Sequence, residues 1–103
     1  MYKIVTFIPS SHLEAVKSAL FEAGAGHIGH YDSCAWQCLG QGQFRGLAAS
    51  NPYIGNRGEI ETVDEYRVEM VCDDEHISAA ITAMRQAHPY EEPAYDVWKL
   101  ADL

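Results

Sequence analysis

The stretch His88-Pro89-Tyr90-Glu91-Glu92-Pro93-Ala94-Tyr95-Asp96-Val97-Trp98 decides the fold, because within it a helix stops and a last strand begins. Proline has no N–H to donate, and its ring clashes with the turn before it. Pro89 therefore ends the preceding helix and holds His88 extended. Pro93 marks the earliest start of a strand expected to run to Leu100. A histidine, two glutamates and two tyrosines gather at the junction.

Working outward, Ile77, Ala80, Ile81 and Met84 fall at i, i+3, i+4 and i+7, which predicts a helix ending at Ala87 and capped by Asp73 or Asp74. Before it, Glu59 to Cys72 reads as a long strand. Ile60, Tyr66, Val68, Met70 and Cys72 share one face, and Glu61, Glu65, Arg67 and Glu69 the other. At the start of the chain Tyr2 to Ile8 is apolar on both faces, with Ile4 and Ile8 opposite Val5 and Phe7. Pro9 closes that strand. Ser11 with Glu14 has the spacing of a capping box, and Leu13, Val16, Leu20 and Phe21 form the apolar stripe of a helix that ends at Gly24. Tyr31 to Leu39 alternates as a second strand, with Cys34, Trp36 and Cys38 on one face.

The order β-α-β-β-α-β predicts an α+β, ferredoxin-like sandwich: a four-stranded antiparallel sheet with two helices on one face. Residues 40–58, punctuated by glycine and asparagine, form an extended arm between strands 2 and 3. A first strand apolar on both sides needs cover on the second sheet face, so a homo-oligomer is expected.

The 103 residues suit a single domain over 1–103. Fifteen acidic against seven basic residues give a net charge of −8, which repels phosphate backbones and anionic lipid. No nucleic acid and no membrane partner is expected. The N-terminus lacks a basic segment followed by an apolar core, and the three cysteines make no disulfide scaffold, so the expected compartment is the cytoplasm. Gly24-Ala25-Gly26-His27-Ile28-Gly29 matches the dinucleotide fingerprint in letters only. A helix precedes these glycines and a strand follows, which is the reverse of the arrangement that aims free N–H groups at a pyrophosphate.

His27, His30, Cys34, His88 and Glu91 are residue types that hold transition metals. Cys34 lies about 13 Å of strand from His30. That leaves His27, His30, His88 and Glu91 as the expected ligands of a divalent metal ion, provided that the turns before strands 2 and 4 meet at one end of the sheet. The alternative is that these histidines satisfy backbone groups in their turns. Tyr90, Glu92 and Tyr95 beside His88 are the expected lining of a small-ligand pocket. Adjacent Glu91 and Glu92 point opposite ways in an extended segment and make no acid–base pair. No nucleophile stands beside a base, so no catalytic residue is assigned and no enzyme is expected.

The chain closely resembles the small YqfO-like family, whose members look like a stand-alone version of the domain inserted in bacterial NGG-interacting-factor (Nif-three-like) proteins. The resemblance is carried by Gly26-His27-Ile28-Gly29-His30-Tyr31 with Cys34, by Phe44-Arg45, Asn51-Pro52-Tyr53-Ile54-Gly55 and Glu59-Ile60-Glu61, and above all by His88 to Asp96. It implies a fold similar to the PII signalling and CutA proteins, which form trimers with their sheets around a central axis. The family's dinuclear metal centre lies in flanking domains, outside this chain, and its ligands do not carry over. The family arm commonly reads F-R-P with a glycine before N-P, where this chain has Gly46 and Ala49.

The expected function is that of a non-enzymatic oligomeric domain, a trimer by resemblance, binding a small ligand or metal ion in a sensing or regulatory role. A purely structural assembly module and a metal-dependent hydrolase are the alternatives.

Overall fold

Strand β1 (Tyr2–Pro9) carries apolar residues on both faces because it lies inside the sheet, hydrogen-bonded to a neighbour on each edge. In the computed structural model, which describes residues 1–103, a 3-10 turn (Ser10–His12) leads from β1 into helix α1 (Leu13–Glu22). Then follow β2 (Trp36–Arg45), β3 (Ile60–Cys72), α2 (Ile77–Ala87) and β4 (Tyr95–Lys99). The sheet is antiparallel throughout, in the order β2-β3-β1-β4. This is the ferredoxin-like arrangement expected from the element order. No helix is long and apolar enough to cross a membrane.

The core forms where one sheet face meets the helices. Ile4 and Ile8 of β1 and Val68, Met70 and Cys72 of β3 pack with Leu13, Val16, Leu20, Ala80 and Met84. Gly24 makes the exit from α1 close. Its φ of +108° suits only a residue without a side chain, and a Cβ there would collide with the His76 ring. At the other helix end His88 is extended, with φ −72° and ψ 135°, as Pro89 requires.

Several local expectations are corrected. The second strand begins at Trp36 rather than Tyr31 and continues to Arg45, so residues 40–45 belong to the sheet and the arm proper is 46–59. Residues 31–35 are irregular, and Cys34 shares no strand face with Cys38. The capping box does not form. The chain enters α1 through the 3-10 turn, no side chain caps either segment, and Ser11 Oγ lies 2.8 Å from His12 Nδ1. Asp73 caps the turn before α2 instead of the helix itself, its Oδ1 accepting from the His76 N–H at 2.9 Å. The last strand is shorter than 93–100.

The second sheet face is also more polar than expected. Val5 is buried, but its cross-strand partners are Glu69 and Asp96, and Glu69 meets Lys3 at 3.7 Å and Arg67 at 3.1 Å. The exposed apolar groups of this face are Trp36 and Trp98, on the two edge strands. Pairing a charged layer over Val5 satisfies the centre of the sheet within one chain.

A histidine holds the end of the sheet where β1 finishes. The buried His88 ring has Nε2 2.7 Å from the Phe7 carbonyl, and its Nδ1 accepts from the Tyr90 N–H at 3.2 Å. Nδ1 can accept only when deprotonated, so the bound form is the neutral Nε2–H tautomer. Burial pushes its pKa below the ordinary 6.5, outweighing the opposing pull of the Phe7 carbonyl.

Two predictions follow from this packing. Leu20→Ala should cost about 3 kcal/mol in urea unfolding, as a fully buried leucine between helix and sheet leaves a cavity. For His88 both folded and unfolded chains are neutral above pH 6.5, and stability is full there. As pH falls through 6.5 the unfolded chain takes up a proton that the folded chain resists, so stability drops until pH passes the depressed native value. His88→Gln should be about 1–2 kcal/mol less stable at pH 8. The gap to the parent protein should narrow between pH 7 and 5.5, and a constant gap would refute the assignment.

Candidate functional site

Strand β3 outruns β1. Its residues Glu65 to Cys72 pair with β1, whereas Ile60 to Asp64 pair only with Gln41 to Arg45 of β2. The two strands therefore leave the body as a ribbon, capped by the 46–59 arm, and the molecule measures 46 × 24 × 24 Å. The arm folds on itself through Gly58 N–H to the Gly46 carbonyl (2.7 Å) and Ser50 Oγ to the Leu47 carbonyl (2.7 Å). It then leans back on the turn before β4, where the Asn51 N–H donates to Glu91 Oε2 at 3.0 Å, and on the 3-10 turn after β1, where the Tyr53 ring stands edge-on to His12 at 5.7 Å.

Between ribbon, arm and turn lies a cavity of about 480 Å³. Its walls include Phe44 of β2, Tyr53 of the arm, Tyr90, Glu91 and Glu92 of the turn, and Phe7 and Glu65 of the sheet. Tyr90 is the centre of the aromatic wall, with Phe44 at 6.2 Å, Tyr53 at 6.4 Å and the His88 ring at 4.8 Å. Its hydroxyl is shut off from water and has no hydrogen-bond partner in the chain. Burial, reinforced by the Glu65 carboxylate, holds the Tyr90 phenol well above its ordinary value. Tyr90 is therefore neutral, with the Glu65 carboxylate close to its hydroxyl. Glu65 reaches over β2 at Gly42, where a Cβ would collide with its carboxylate.

Of the residues expected to line a ligand pocket, Tyr90 and Glu92 stand in this wall and Tyr95 does not. Tyr95 faces the helices, its hydroxyl accepting from Arg85 Nη1 at 3.2 Å. The four expected metal ligands are not brought together. His27 and His30 are exposed in a turn anchored by the Gly26 N–H to the Val71 carbonyl, and Val71 pairs with Lys3. His88 is tied to Phe7, four residues and about 13 Å farther along β1. Glu91 is engaged by the arm. The side chains whose ligating atoms do converge are Asp73, Glu75 and His76, all within 4.8 Å, at the entry to α2. Two of them bond each other, Asp73 Oδ1 to His76 Nδ1 at 2.6 Å.

Sequence reasoning missed Phe44, Tyr53 and Glu65. Phe44 and Gly42 fall on the same alternating set as Glu65's strand partners, a signal available once Glu59 to Cys72 is given a hairpin partner of matching length.

No family model matches the chain. It is 48% identical over 98 residues to a GTP cyclohydrolase 1 type 2 homolog of Mycobacterium leprae, covering 95% of this chain and 26% of that protein. Among solved structures, a Bacillus cereus protein related to NIF3 superposes with a TM-score of 0.80 at 40% identity, over 98% of this chain and 26% of that one. CutA from Xylella fastidiosa gives a TM-score of 0.70 at 22% identity and is matched over 84% of its length, which shows a shared fold. The chain spans about a quarter of the length of the curated relatives it matches. Over its own length the chain is thus a relative of one domain of the NIF3-related, YqfO-like proteins, and it shares its fold with CutA.

Proposed function

We propose that this domain is a non-enzymatic, cytoplasmic, homotrimeric module that binds a small molecule in the cavity beneath its arm and serves a sensing or regulatory role. One observation carries the reading: a cavity of about 480 Å³ has Phe44, Tyr53 and Tyr90 in its wall together with Glu65 and Glu92, two carboxylates in no ion pair, and beside it the Tyr90 hydroxyl lacks a well-formed hydrogen bond. Buried polar groups are nearly always paired, and the exceptions point to a missing partner. Chemistry is not favoured by the lining. Ser50, the hydroxyl on the wall that resembles a nucleophile, spends its proton on the Leu47 carbonyl. The metal expectation is moved off His88, whose two ring nitrogens already serve backbone groups.

Oligomerisation is supported by β2. It is an edge strand ten residues long without proline, and Trp36 and Leu39 on it are exposed at 57% and 54%. Such an edge invites pairing with another chain unless something covers it. The two-stranded ribbon would also gain from a neighbour, since an isolated hairpin is marginal in water.

Native mass spectrometry of the untagged protein should give three subunits, and the double variant Trp36→Glu/Leu39→Glu should shift the mass toward one subunit while its circular dichroism is retained. A parent protein that is monomeric at micromolar concentration refutes the assembly. Tyr90→Phe separates ligand binding from folding. Removing an unpaired buried hydroxyl should leave the ligand-free protein as stable or about 1 kcal/mol more stable in urea. A loss of 1 kcal/mol or more would mean that the hydroxyl is already satisfied, and the ligand reading would lose its support.

A further inference from the structure

We infer that the cavity beneath the arm selects an organic cation, an ammonium or guanidinium group carried on a small apolar body, with Phe44, Tyr53 and Tyr90 facing the body and Glu65 reading the charge. The inference rests on the reading of this cavity as a ligand site and adds the chemical class of its occupant. Phe44 and Tyr53 each stand within 6.4 Å of Tyr90, and the three rings supply faces whose negative quadrupole attracts a cation. Glu65 is half-buried on the cavity floor and takes part in no ion pair in the chain. A carboxylate partly removed from water and left without a counter-charge gains most from a ligand that supplies one.

Two further carboxylates and one guanidinium stand on the wall. Glu92 is also free of an ion pair, and Glu91 faces the Asn51 N–H. Arg45 is the basic residue of the lining, and the alternation of β2 sets it on the pleat face opposite Phe44.

The test uses three probes with one phenethyl body and different head-group charge, phenethylamine, 2-phenylethanol and 3-phenylpropionate, titrated into the intact protein and followed by amide resonances around the cavity. The amine should bind at least about tenfold more tightly than the alcohol, and the carboxylate most weakly. Glu65→Gln, checked for an unchanged fold, should bring amine and alcohol to within about twofold. Added salt should weaken the amine and leave the alcohol unchanged. An alcohol that binds as well as the amine, or a carboxylate that binds best, overturns the cation assignment and leaves the ligand cavity standing. An amine preference that survives Glu65→Gln overturns the role given to Glu65. If no probe perturbs the cavity resonances, the ligand reading falls with it.

Discussion

Strand β3 forms hydrogen bonds to β1 only from Glu65 onward, and the mismatch in length between these two neighbours shapes everything at that end of the molecule. Up to Glu65 the ribbon has two strands and no helix beneath it, so its side chains cannot be buried in the core. The pairing with β2 satisfies one edge of this backbone along its whole length, and the other edge has no strand partner there. The arm has no sheet to join. It closes on itself through Gly46 and Gly58 and props against the turn before β4 through Asn51 and Glu91. The cavity is the space left between a ribbon that leaves the body and an arm that comes back to it.

The other end of the sheet is held differently. Gly24 lets α1 stop close to the entry of α2, and Asp73 and His76 pair there. Asp74 meets Lys99 of β4 at 2.7 Å, and that contact first of all holds the Asp74 carboxyl down at about 2. These are exposed charges whose value lies in fixing where chain segments meet more than in adding stability. One end of the domain is thus fastened by local polar contacts, and the other by a buried histidine.

The regular elements were largely legible in the amino-acid order. Proline at 9 and 89 and apolar spacing in β1, β3 and both helices place four of the six elements close to where they lie. The reading failed where glycine was taken as punctuation. Gly40 and Gly42 look like loop residues, yet in β2 they pair with Glu65 and Val63 of β3, and at 42 the glycine leaves room for the Glu65 side chain that crosses the strand. The histidines were misplaced for a topological reason. Each element reverses the chain, so the segment after α1 returns to the end where β1 starts, while the segment after α2 arrives at the end where β1 finishes. His27 and His88 could be separated by counting elements alone. Tyr53 and Glu65 could not be found that way, since their convergence depends on how the arm folds back.

The cavity draws its walls from two bodies of unequal stiffness. Phe7 and Glu65 belong to the four-stranded sheet, and Tyr90 is fixed to it through His88, whereas Phe44 and Tyr53 ride on the ribbon and arm. A two-stranded ribbon twists and bends far more readily than the sheet it springs from. Bending it moves Phe44 and Tyr53 against Tyr90 and alters the cavity before anything else in the domain. Cavity width and ribbon angle are therefore one mechanical variable, and whatever grips the arm tip from outside sets the aperture.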